Sequence, residues 1–288
     1  MIRSHQLTVF FVLAFLLPWI VWGSSIARDQ GWITWHIPQA LAFWLGLTIA
    51  TFGTAALAEG WPGVKDLLAR MVRARVGVPW YAAALLLTPA LAMLAVVLGA
   101  ALGLATAVGA EVSAADGPVL LLVSLWLFLL TEETAWRGFA LPRLQARMPP
   151  VPAALLLGLL WGLWHIPLFL IADSFQSSIP FAGFLLSILA TSVLTSWIFN
   201  HTRGSVLLAA VFHATTDVAI AYSGVMSAST GLFWLMVALQ CLAAAAVIPA
   251  LRTLPATTTG LIHPEPPNQG AVEPTPPGVG TSTTPAGG

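Results

Sequence analysis

Six residues in this chain are of types that do chemistry: Glu132, Glu133, Arg137, His165, His213 and Asp217. Glu133 and Arg137 are four residues apart, so on a helix they share a face and can form a charge-assisted pair. Glu132 is rotated from Glu133 by about 100° and is left free to face something else. A carboxylate and imidazoles are the groups that take a proton from water and return it to a leaving group. A protonated imidazole can donate to a carbonyl oxygen as negative charge develops there. Together these residues have the composition of a general acid–base site, in which a desolvated Glu132 suits the role of a base. His213 and Asp217 are also four apart, on one face. Glu132, His165, His213 and Asp217 could alternatively form a zinc set of nitrogen and oxygen ligands. Residue types alone do not separate direct water activation from a zinc-bound water.

The segments that must position these groups are hydrophobic. Of 288 residues, 58% are apolar and 8% charged, with 11 basic and 11 acidic side chains, so the chain cannot supply the charged shell of a water-soluble globule. A mean hydropathy of +0.88 agrees. The expected fold class is all-α, a polytopic bundle of about eight transmembrane helices with both termini cytoplasmic, in the cell membrane. A span needs about 20 apolar residues. Eight such stretches lie near 6–27, 37–58, 80–105, from 118 on, 151–172, 181–200, 205–224 and 231–251. With the N-terminus inside, nine Lys and Arg fall in cytoplasmic segments: Arg3, Lys65, Arg70, Arg73, Arg75, Arg143, Arg147, Arg203 and Arg252. Only Arg28 falls outside, which is the bias that sets orientation. The first helix is read as an uncleaved span, since its apolar run is span-length and includes Pro18, Trp19 and Trp22.

The charged residues of the fourth span cannot be avoided. Only 15 uncharged residues separate Asp116 from Glu132, too few to cross, so Glu132, Glu133 and Arg137 enter the membrane. Insertion scales charge about 2.5–3.5 kcal/mol for such a group at a helix centre, which marks the trio as functional. The seventh span carries His213 and Asp217 inward in the same way. Counting about 1.5 Å per residue puts Glu132 about 15 Å deep from Pro142, His213 about 12 Å from Ser205, and His165 about 20 Å from Val151, a mismatch in depth.

The remaining features read plainly. Residues 62–75 form an interfacial helix, with Val64, Leu67, Leu68, Met71 and Val72 on one face. Lys65, Arg70 and Arg73 lie elsewhere, for lipid headgroups, and Asp66 is able to pair with Arg70. Trp19, Trp22, Trp32, Trp35, Trp61 and Trp80 are interface anchors. Glu111, Asp116 and Asp173 are solvated loop charges. His5, His36, His201 and His263 have no assigned role. Cys241 is a small apolar helix residue, and a single cysteine excludes an intramolecular disulfide. Residues 1–254 form the bundle, with the intramembrane ionisable residues gathered within about 118–220. Pro, Thr and Gly supply 21 of the 34 residues of 255–288, a disordered tail by composition. With no basic excess, no nucleic-acid partner is expected.

The segment Glu132-Glu133-Thr134-Ala135-Trp136-Arg137 resembles the E-E-x-x-x-R signature of the CPBP intramembrane proteases. This is the CAAX-protease and bacteriocin-processing family, which includes the type II CAAX prenyl endopeptidases. Trp161 ahead of His165 matches its second motif, and His213 with Asp217 its third. The resemblance covers about residues 118–220. It implies an endopeptidase acting inside the membrane near the cytoplasmic face on membrane-anchored peptides or proteins. Glu132 and His165 would activate water, and His213 with residue 217 would stabilise the oxyanion. The family account favours a glutamate-dependent, metal-free mechanism over zinc. Asp217 stands where Asn is common, and an ionised Asp repels an oxyanion. It is then protonated, or orients His213, or helps bind metal. Trp161 replaces the commoner Phe, a conservative change. A proton- or ion-coupled transporter and a non-catalytic membrane scaffold are the alternatives. Against transport, the ionisable residues gather in one place.

Overall fold

The computed structural model describes residues 2–104, 113, 115–172 and 174–252. The tail from 255 on, with His263, and the loop charges Glu111 and Asp173 lie outside them. Among the described residues there are nine helices: α1 (Ile2–Asp29), α2 (Ala42–Glu59), α3 (Trp61–Met71), α4 (Val78–Ala101), α5 (Gly117–Gln145), α6 (Pro150–Leu170), α7 (Phe181–His201), α8 (Val206–Ser223) and α9 (Thr230–Arg252). All but α3 are long and apolar enough to cross a bilayer. Their positions follow the eight uncharged stretches, because in lipid each span must satisfy its backbone within itself and so forms a helix.

Packing follows small residues. On α6, a Cβ at Gly158 would lie 2.8 Å from Ser192 Cβ of α7, so the two backbones approach closely. The Ser192 hydroxyl donates to Ala154 O at 2.8 Å across the same contact. Further pairings join α4 with α8, α7 with α9, and α5 with α8. Large apolar side chains such as Ile20, Leu86, Met93, Val119 and Leu122 point outward, as befits a lipid-facing surface.

Two expectations about the surface are corrected. Trp22 is fully buried, its ring 4.7 Å from that of Trp164, so it is a core residue and not an interface anchor. Arg70 does pair with Asp66 (Nε–Oδ2 2.7 Å), but it is buried with Leu67 and Met71 and does not face headgroups. The exposed stripe of α3 is instead Trp61, Lys65, Leu68 and Val72.

Helix α5 is interrupted where it matters. Its first part is α-helical to Leu130, and Thr131 breaks it with φ −123° and ψ −88°. A π-helical stretch, Thr134–Ala140, follows, then a last α-helical turn to Gln145. Thr131 and Thr134 donate their hydroxyls to Leu127 O (2.6 Å) and Leu129 O (2.5 Å), which stabilises the irregular turn. Back-bonding hydroxyls of this kind bend helices, and π-helical turns gather at functional sites.

Candidate active site

The break in α5 sets Glu132 and Glu133 in different directions, and both are buried. Glu133 faces the packed interior. Its Oε1 accepts from Arg137 Nη1 and lies against His213 Nδ1, each at 2.8 Å. The expected Glu133–Arg137 pair is therefore present, with His213 as a second partner that spacing along the chain did not reveal. Because a carboxylate paired with Arg137 only accepts, the Nδ1 of His213 is the donor, and Nε2 is turned elsewhere. The His213 ring stacks on Phe128, with centroids 3.7 Å apart and planes parallel within 1°.

Glu132 faces the other way, and its Oε2 accepts from the indole Nε1 of Trp161 at 2.7 Å. That leaves Oε1 without a share in this bond. The Arg137 guanidinium lies over the same indole, 4.5 Å from the ring centroid. Trp161 thus joins the two carboxylates: its face meets the cation that holds Glu133, and its edge holds Glu132. Replacing the family's commoner Phe is not a conservative change here, because only Trp has the N–H.

His165 follows the α-helical part of α6, which ends at Trp164. Its Nδ1 lies 2.8 Å from Trp161 O. A carbonyl only accepts, so Nδ1 carries the proton and Nε2 presents a lone pair. The rings of Trp164 (4.8 Å) and Phe184 (5.1 Å) meet it nearly edge to face.

Glu132, His165, His213 and Asp217 all line one cavity of about 480 Å³, with Trp161. The mismatch along the helices narrows because α5 ends later than Pro142, while the ends near Val151 and Ser205 are as expected. Helix α5 runs on to Gln145, so Glu132 lies 13 residues from that end, comparable with the 15 that separate His165 from Pro150. Ser205, from which His213 was counted, is not at a surface. It is fully buried, and its hydroxyl donates to Arg73 O.

Asp217 is the outlying member. Its Oδ1 is 3.9 Å from His213 Nε2, beyond hydrogen-bond range, and its side chain is 50% exposed. The hydrogen-bond partner of the His213 ring in this geometry is Glu133, through Nδ1. The zinc set is not assembled either. Among the described residues no three His, Cys, Asp or Glu side chains converge closely enough to hold one ion.

Residues 114–219, which contain every one of these side chains, match the family model described as type II CAAX prenyl endopeptidase, Rce1-like. A curated relative, CAAX prenyl protease 2 of Methanococcus maripaludis, is 39% identical over 98 residues, 31% of this chain and 36% of the relative. The match therefore spans about a third of either protein. Residues 114–219 carry a domain of the Rce1-like type II CAAX prenyl endopeptidase family.

Proposed function

We propose that this multi-pass membrane protein is an intramembrane endopeptidase that hydrolyses a peptide bond of a membrane-anchored protein or peptide. The observation that carries the reading is that Glu132 and His165 line one cavity, each with an acceptor atom that Trp161 does not use. Glu132 has Oε1 to spare once Trp161 holds Oε2, and His165 has the lone pair of Nε2. The proposed nucleophile is a water held by both groups, with its oxygen free to attack.

In the first step Glu132 takes a proton from that water while the oxygen adds to the scissile carbonyl. A His213 protonated on both nitrogens donates Nδ1–H to Glu133 and Nε2–H to the developing oxyanion. Glu132 then passes its proton to the leaving amine as the C–N bond breaks. Glu133 and Arg137 support this without touching substrate, by fixing the His213 ring and the turn that carries Glu132. The relative's name, CAAX prenyl protease 2, supports a lipid-anchored polypeptide as the substrate class.

The test is cleavage of membrane-anchored peptides by the purified protein in proteoliposomes, read by mass spectrometry. Glu132→Gln and His165→Ala are expected to lose about 10²–10⁴-fold, the usual worth of a general base. Cleavage by both variants at the wild-type rate would overturn the proposal.

A further inference from the structure

The cavity is one-sided. On α5 its wall runs from Glu132 back to Leu120, toward Gly117, and on α6 from Trp161 forward to Leu168. On α7 it runs from Thr191 back to Phe184, and on α8 from His213 forward to Ala221. All four directions lead to the same end of the bundle, where Phe175, Gln176 and Met226 of the connecting segments complete the wall. No described residue of α5 beyond Glu132, of α6 before Trp161, or of α8 before His213 lines it.

The opposite end is sealed. There α3 lies across α5 and α8, with Leu67 and Met71 buried beneath it. Gly138 lets the layers meet: a Cβ there would come within 3.2 Å of Val206 and 3.4 Å of Leu67. This sealed end also holds the basic side chains. Arg143 and Arg147 lie before α6, Arg203 before α8, Arg73 and Arg75 before α4, and Arg252 at the end of α9. Arg203 donates to Arg75 O at 2.6 Å, so two of these segments are in contact. At the open end stands only Arg28, bound to Asp29 at 2.8 Å.

Short basic connections stay in the cytoplasm. We infer that the sealed, arginine-rich end is cytoplasmic and that the cavity opens to the other side of the membrane. Its substrate is then a membrane-anchored polypeptide whose scissile segment enters from the non-cytoplasmic leaflet. This departs from the cytoplasmic approach that the family resemblance implies. The statement about substrate rests on the endopeptidase reading; the statement about the opening does not.

The test separates the two. In a Cys241→Ala background, single cysteines replace Gln176 at the mouth, Asp217 on the wall and Arg147 at the sealed end. Intact cells are treated with a membrane-impermeant maleimide, before and after permeabilisation. Gln176→Cys and Asp217→Cys are expected to label in intact cells, and Arg147→Cys only after permeabilisation. The reverse pattern, or Asp217→Cys behaving like Arg147→Cys, overturns the inference. In a second arm, proteoliposomes sorted by orientation receive a fluorogenic peptide anchored in the outer leaflet. Cleavage is expected only where Gln176 faces outward, and cleavage only in the opposite orientation overturns the inference. Loss of cleavage in both orientations sinks the endopeptidase reading, and the labelling arm still decides the direction of the opening.

Discussion

Trp161 Nε1 donates to Glu132 Oε2 across 2.7 Å, and this bond leaves Oε1 as the oxygen of Glu132 that the proposed mechanism would use. Trp161→Phe keeps a ring under the Arg137 guanidinium but removes the donor. A hydrogen bond to a charged group is worth about 1.5–3 kcal/mol, so kcat is expected to fall by about 10–100-fold. KM should move little, whereas the melting temperature should fall, because a buried indole shrinks to a phenyl and a buried carboxylate oxygen loses its donor. An unchanged kcat would mean that the bond does not position Glu132.

Glu133 and Arg137 are both fully buried, and each is the other's counter-charge. Removing one partner of a buried pair leaves a bare charge, at a cost of about 3–5 kcal/mol, whereas replacing both by apolar groups is often neutral. Glu133→Leu is therefore expected to lower the melting temperature sharply, and Glu133→Leu with Arg137→Met to restore much of it. Activity should not return, since His213 Nδ1 has lost its acceptor. Recovery of cleavage in the double variant would show that Glu133 serves only Arg137.

The spans were legible because charge is scarce and each membrane crossing needs an uninterrupted apolar stretch. The pairing of Glu133 with Arg137 was legible for a local reason, the four-residue spacing. What lay beyond reach was non-local. Glu133 and His213 are 80 residues apart, and no periodicity links them. The break at Thr131 depends on hydroxyls bonding back to the preceding turn, and Thr in a helix is otherwise ordinary. Depth estimates failed at Ser205 because a helix can begin beneath other segments, and only tertiary packing shows it.

Donor geometry also bears on metal dependence. Among the described residues the carboxylates and imidazoles line one cavity without three of them converging. Prolonged treatment of the purified protein with a strong chelator is expected to leave the cleavage rate unchanged. Elemental analysis of the active protein should find no stoichiometric zinc. A loss of activity that added zinc restores would overturn this expectation.

Asp217 is the residue whose chemistry fits its place least well. It stands half-exposed on the cavity wall, 3.9 Å from the His213 nitrogen that would face the oxyanion. A carboxylate there opposes negative charge developing nearby, whereas an amide of the same size donates to it. Asp217→Asn is therefore expected to raise kcat, by about fivefold if it gains one hydrogen bond of about 1 kcal/mol in the transition state. Asp217→Leu has no donor to offer and should not show the gain. If Asp217→Asn instead loses activity while Asp217→Glu keeps it, the negative charge itself is needed, and Asp217 acts by keeping His213 protonated through space.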